Sequence, residues 1–124
     1  YGPFRDAVGT KSTLKTSKKT SQMDFRKSSE VFREVGLDIK EGADIVMVKP
    51  AGYYLDIINE IKKNCLIPVA AYQVSGEYVM IKNASDDKFI NYRPSVLESL
   101  SCIKRAGADI IFSYFSKEVA EWLK

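Results

Sequence analysis

A lysine closes the apolar run Ile45-Val46-Met47-Val48 in the stretch GADIVMVKP, residues 42 to 50. An amine at the end of a dry strand loses hydration, which disfavours its ammonium form and makes neutral amine available near neutral pH. Neutral amine attacks a ketone or aldehyde to give a Schiff base, so Lys49 is the first candidate for chemistry. The plain alternative is a lysine reaching past the strand end to water. Two later strand-like segments end on Tyr72, Gln73 and Ser75, and on Ser113 and Tyr114. A lysine, hydroxyls and a phenol would thus converge on one mouth, and each hydroxyl is otherwise an ordinary hydrogen-bonding strand end.

Other chemistries are excluded by residue type. The 124 residues contain no histidine, which removes Ser-His and Cys-His nucleophiles and imidazole metal sites from this sequence. Cys65 and Cys102 are far apart and lack Cys-x-x-Cys spacing, so reduced structural thiols are expected rather than a disulfide framework or zinc knuckle. No paired carboxylate stands at the strand ends for glycoside hydrolysis, and no glycine-rich phosphate loop occurs. The net charge of +3 is mild and unevenly placed, with Lys11, Lys15, Lys18 and Lys19 in a stretch free of acids. No aromatic residue is interleaved with those lysines, so nucleic-acid binding is not expected. No apolar run approaches the roughly 18 residues of a membrane span, and the chain is read as soluble. It opens on Tyr1 without a signal-peptide pattern and is expected to be a piece of something longer.

The elements that must position Lys49 follow from periodicity. Residues 9 to 21, GTKSTLKTSKKTS, carry one leucine and no sustained period, which predicts an exposed loop. SSEVFREVGLDIKEG predicts a helix capped by serine and stopped at Gly42, with Val31, Phe32, Val35, Leu37 and Ile39 as its apolar positions. ADIVMVKP is short, β-branched and nearly continuous in hydrophobicity, which predicts a strand covered on both faces. YLDIINEIKKN predicts a helix burying Leu55, Ile58 and Ile61, and PVAAYQVS a second strand. GEYVMIKNAS is expected to be helical. PSVLESLSCIKRAG predicts a helix started by Pro94 and ended at Gly107, with Val96, Leu100 and Ile103 inward. ADIIFSYF and SKEVAEWLK supply a third strand and a short helix.

Gly-Ala-Asp-Ile occurs twice, at 42–45 and 107–110, each time at a helix-to-strand junction, so two βα units are built to one plan. Alternating helices and buried parallel strands leave an open doubly wound sheet or a βα barrel. Three strands do not close a barrel, which needs about eight.

YGPFRDA, GADIVMVKPAGYYLDI, AYQVSGEYVMIK and VLESLSCIKRAGADIIFSYF together resemble the C-terminal part of the porphobilinogen synthase family, also called δ-aminolevulinic acid dehydratase. The resemblance implies an α/β fold, the C-terminal portion of a (β/α)8 TIM barrel with about three βα units. It divides the chain into a lid loop at about 8–24 and βα units at about 28–124. It also implies a lyase that condenses two molecules of 5-aminolevulinate into porphobilinogen on the route to haem and other tetrapyrroles. Lys49 matches the family's Schiff-base lysine, and Ser75 and Tyr114 match the residues that hold the carboxylate of the same substrate. Arg5, Lys18 and Gln22 match positions serving the second substrate, with Lys18 where arginine is usual.

Ser21 replaces the family's usual tyrosine and Phe25 a common proline, so weaker lid closure is expected. The family's second active-site lysine lies a few residues before YGPFR and its zinc-binding cysteines further upstream, outside these residues. The 124 residues alone are therefore expected to be inactive in the full condensation. Further implications are magnesium or zinc, with an allosteric magnesium held through water near Glu34, a homo-octamer, and a cytoplasmic or plastid location. The alternatives weighed are a class I aldolase-like Schiff-base barrel, which does not account for YGPFRDA or VSGEY, and a catalytically silent fragment or assembly module.

Overall fold

In a computed structural model of the chain, described for residues 3, 4 and 22–124, successive strands are separated by helices along the sequence. The order is α1 (Ser29–Lys40), β1 (Val46–Val48), a 3-10 turn (Gly52–Tyr54), α2 (Leu55–Asn64), β2 (Val69–Gln73), α3 (Ser75–Asp86), α4 (Tyr92–Ala106), β3 (Ile110–Ser113) and α5 (Ser116–Trp122). The strands form one parallel sheet in the order β1-β2-β3. Val46, Met47 and Val48 sit opposite Val69, Ala70 and Ala71, and Ala70 to Gln73 sit opposite Ile110 to Ser113. This is the α/β arrangement of successive βα units in a partial (β/α)8 barrel.

Both Gly-Ala-Asp-Ile segments end their helices in the same way. The Gly42 N–H donates to Ile39 O and Ala43 to Asp38 O; the Gly107 N–H donates to Lys104 O and Ala108 to Ile103 O. Two such bonds closing the last turn require a left-handed residue, and Gly42 and Gly107 have φ of 97° and 121°. The units differ in the next residue. Asp109 accepts the Val69 N–H and the Lys62 ammonium, each at 2.8 Å, tying β3 to β2 and α2. Lys62 and that N–H hold the Asp109 carboxyl below its ordinary range. Asp44, two residues before edge strand β1, is exposed.

The core lies between the sheet and its helices. Val31 and Val35 of α1, Ile57, Ile58 and Ile61 of α2 and Ile103 of α4 close over Val46, Val48, Val69 and Ala71. Burying a side chain such as Ile58 contributes about 1.5–3 kcal/mol, the main return on ordering these segments.

Four expectations are corrected. β1 is covered on one face only: Val46 and Val48 are buried, while Ile45 and Met47 are about half exposed. Of the apolar positions assigned to α1, Phe32, Leu37 and Ile39 face solvent, because only the Val31/Val35 stripe meets the sheet. Ser28 precedes α1 without capping it, since its backbone is already helical and its hydroxyl is not turned back to the first N–H groups. α4 starts at Tyr92, two residues before Pro94; proline is tolerated there because first-turn N–H groups lack intrahelical acceptors.

Candidate functional site

Alternation along the strands decides which strand-end groups share a face. Val48 is buried against the helices, so Lys49, one residue on, follows Met47 to the other face and is exposed. Tyr72 and Phe112 sit in register on that face, with rings 6.4 Å apart and edge-on. Tyr114, just past β3, extends it: the Tyr72 hydroxyl donates to the Tyr114 hydroxyl at 3.2 Å, and their rings lie 6.3 Å apart. Ser75 opens α3 and is half-buried; one turn later Tyr78 packs 5.7 Å from Tyr114. Residues three apart share a helical face, so Ser75 lies on the side of α3 turned to the tyrosines.

Gln73 and Ser113 do not join this group. Ser113 Oγ donates to Gln73 Oε1 at 2.7 Å, Gln73 Nε2 donates to Ser99 Oγ at 3.1 Å, and Ser99 Oγ donates to Val96 O at 2.8 Å. This chain of bonds locks β2, β3 and α4 on the helix-covered side, where an unpaired amide would be costly. The dry surroundings expected for Lys49 are also corrected: its amine stands in the open, at a strand end whose covered face is the other one.

Glu77 is a buried carboxylate that the sequence pattern did not single out. It is 8% exposed, and its carboxylate accepts three backbone N–H groups: Val74 at 2.7 Å, Gly52 at 2.6 Å and Ala51 at 3.2 Å. Burial raises its carboxyl above the ordinary value, opposed by the donors of Val74, Gly52 and Ala51. The signal available was an acid at the third helical position, where it reaches back to the N–H preceding the helix. The two glycines around it are both closely approached. A Cβ on Gly52 would meet Glu77 Oε1 at 2.7 Å, and a Cβ on Gly76 would run into the Phe4 ring. Phe4 is buried and stacks 5.3 Å from Tyr53, so Phe4 of YGPF and Gly76 of VSGEY meet at one point.

Arg5, Lys18 and most of the predicted lid, Ser21 included, lie outside the described residues. Gln22 is described and half-buried. Gln22, Glu34, Lys49 and Tyr53 line a cleft of about 530 Å³ alongside β1. Phe25 is 73% exposed, beside an Asp24–Arg26 pair at 2.6 Å whose guanidinium holds the Asp24 carboxyl well below the usual carboxylate range. Glu34 is exposed on α1, and among the described residues no three His, Cys, Asp or Glu side chains converge on a metal position. The described residues do not by themselves form a metal centre. Both described cysteines are free thiols, and no described helix is long and apolar enough to cross a membrane.

A lysine at the C-terminal end of a parallel strand, beside phenols and a helix-opening serine, defines the class: a βα-barrel segment with its reactive groups at the strand ends. The family model described as delta-aminolevulinic acid dehydratase matches residues 1–122. The delta-aminolevulinic acid dehydratase of Escherichia coli is 54% identical over 121 residues, covering 98% of this chain and 37% of that relative. That of Bradyrhizobium diazoefficiens is 50% identical over 124 residues, covering 100% of this chain and 35% of the relative. Among solved structures, the Toxoplasma gondii enzyme (porphobilinogen synthase), in complex with its reaction product porphobilinogen, superposes with a TM-score of 0.89 at 47% identity, over 98% of this chain and 35% of that one. The chain belongs to the delta-aminolevulinic acid dehydratase family. It spans a little over a third of the length of these relatives and corresponds to their C-terminal part.

Proposed function

We propose that this chain carries the Schiff-base half of a porphobilinogen synthase site. The neutral Lys49 Nζ adds to the ketone carbon of 5-aminolevulinate, the resulting carbinolamine takes up one proton from solvent and loses its hydroxyl as water, and an iminium remains on Lys49. The hydroxyls of Ser75 and Tyr114 hold the substrate carboxylate, Tyr114 being oriented by the Tyr72 hydroxyl and the Tyr78 ring. The observation that carries this reading is the placement of Lys49 and Tyr114 on one open face of the sheet, with Ser75 a helical turn from the ring that packs on Tyr114.

In the whole protein the reaction is the condensation of two 5-aminolevulinate molecules to porphobilinogen. Arg5, Lys18 and Gln22 bind the second molecule beneath a lid at about 8–24, with a further lysine supplied from upstream of YGPFR. The homo-octamer, the magnesium or zinc requirement with a water-mediated contact near Glu34, and a cytoplasmic or plastid location belong to the same reading. Support for it is the family membership and the match to a structure holding porphobilinogen.

The test is borohydride reduction of the chain in the presence of 5-aminolevulinate, read by intact mass. Hydride delivered to the iminium carbon leaves a stable secondary amine, so one adduct is expected on the parent and none on Lys49→Ala. An adduct of equal yield on the variant would overturn the assignment.

A further inference from the structure

We propose that Glu77 is a positioning residue that sets the spacing between the Lys49 amine and the Ser75 hydroxyl. The inference rests on the Schiff-base reading above and adds to it a residue that never touches substrate. A carboxylate at the third position of a helix needs only the one N–H that precedes the helix, here Val74. Glu77 takes two more donors from outside its own helix, Ala51 and Gly52, which lie two and three residues beyond Lys49. Its other contact, Val74, is the neighbour of Ser75. One buried side chain thus clamps the segment leaving the amine to the segment entering the carboxylate anchor.

The surroundings make the clamp stiff. A buried carboxylate is tolerated only where its oxygens are satisfied, so detaching Glu77 from any of the three N–H groups is costly. Ala51 is fixed a second time, its N–H also donating to Tyr72 O at 3.0 Å. Gly52 leaves no room for a Cβ against Glu77 Oε1, so the approach is close by necessity. A 4-oxo acid bound at both ends has a fixed length, and the enzyme must hold amine and hydroxyl at matching separation. A ketone without the carboxylate makes no such demand.

That difference supplies the test. Rates of borohydride trapping on the full chain are compared for 5-aminolevulinate and its methyl ester, which keeps the ketone and amine but lacks the anion. The parent is expected to trap the acid faster than the ester. Glu77→Gln puts an NH2 against backbone donors; it is expected to slow trapping of the acid by about tenfold while leaving the ester within about twofold. Gly52→Ala keeps the charge and displaces the carboxylate, and should show the same selective loss to a smaller degree, which guards against a Gln variant that fails to fold. Ser75→Ala should cut the acid's advantage to what Tyr114 alone supplies, with no further selective loss when Glu77→Gln is added. Equal slowing of both ketones, or no change in either, would overturn the positioning role while leaving Lys49 as the amine. Absence of any adduct on the parent would instead sink the Schiff-base reading, and this inference with it.

Discussion

Val46, Val48, Val69 and Ala71 point toward α1, α2 and α4 and are almost fully buried. On the opposite face of the same sheet, Met47 of β1 and Phe112 of β3 are about half exposed, as is Tyr114 just past β3. The same backbone therefore carries a face closed by helices and a face left largely open among the described residues. Ala70 alone on the open side is covered, lying in register between Met47 and Ile110. The difference separates two requirements. The closed face holds the segment together through apolar burial and the Gln73–Ser113–Ser99 bonds, while the open face presents an amine and phenols whose removal leaves little behind to collapse.

That division can be broken in graded steps. Ile58→Ala empties a fully buried site on the closed face and should cost about 2–5 kcal/mol in denaturant unfolding. At temperatures where the variant remains folded, the Lys49 adduct should persist. Gln73→Ala leaves the Ser113 and Ser99 hydroxyls short of partners in a half-buried position, and about 1–3 kcal/mol is the expected loss by the same measurement. A third substitution sharpens the comparison through pH. The Tyr92 hydroxyl donates to both oxygens of Glu118, at 3.1 and 3.0 Å, and burial followed by that carboxylate pushes its phenol up to about 12. Because the folded value is raised, the bond's contribution is fully present below the ordinary tyrosine value and disappears as pH rises through about 12. Tyr92→Phe should thus cost about 1 kcal/mol at neutral pH, with the gap to the parent closing under alkaline titration. The smallest stability effect is expected on the open face, where Lys49→Ala should change unfolding free energy by less than about 0.5 kcal/mol while removing the adduct. A large destabilisation there would erase the contrast between the faces.

Much of this was legible locally. Gly42 and Gly107 end helices because the closing turn needs a left-handed residue, and that requirement is written in four or five consecutive positions. Lys49 and Tyr114 were singled out because they follow β-branched runs. What escaped depends on distant neighbours. Phe32, Leu37, Ile39 and Met47 fit apolar patterns yet face water, since pattern marks a candidate core position without naming what covers it. Asp44 and Asp109 occupy the same place in an identical tetrapeptide, but only Asp109 has β2 and Lys62 beside it. The burial of Gln73 and Ser113 against α4 was available from strict alternation, since their neighbours Tyr72 and Phe112 take the open face. Glu77 was hidden because two of its three partners lie about 25 residues earlier in the chain.

The claim that the open face carries a reactive amine is tested most directly by mapping where the adduct forms. The chain would be reduced with borohydride at limiting 5-aminolevulinate, digested, and every lysine peptide quantified by mass spectrometry. The account predicts saturable modification confined to Lys49, with helix-face lysines such as Lys62 and Lys82 unmodified. Modification spread across surface lysines in proportion to exposure, with Lys49 no more reactive than the rest, would contradict it.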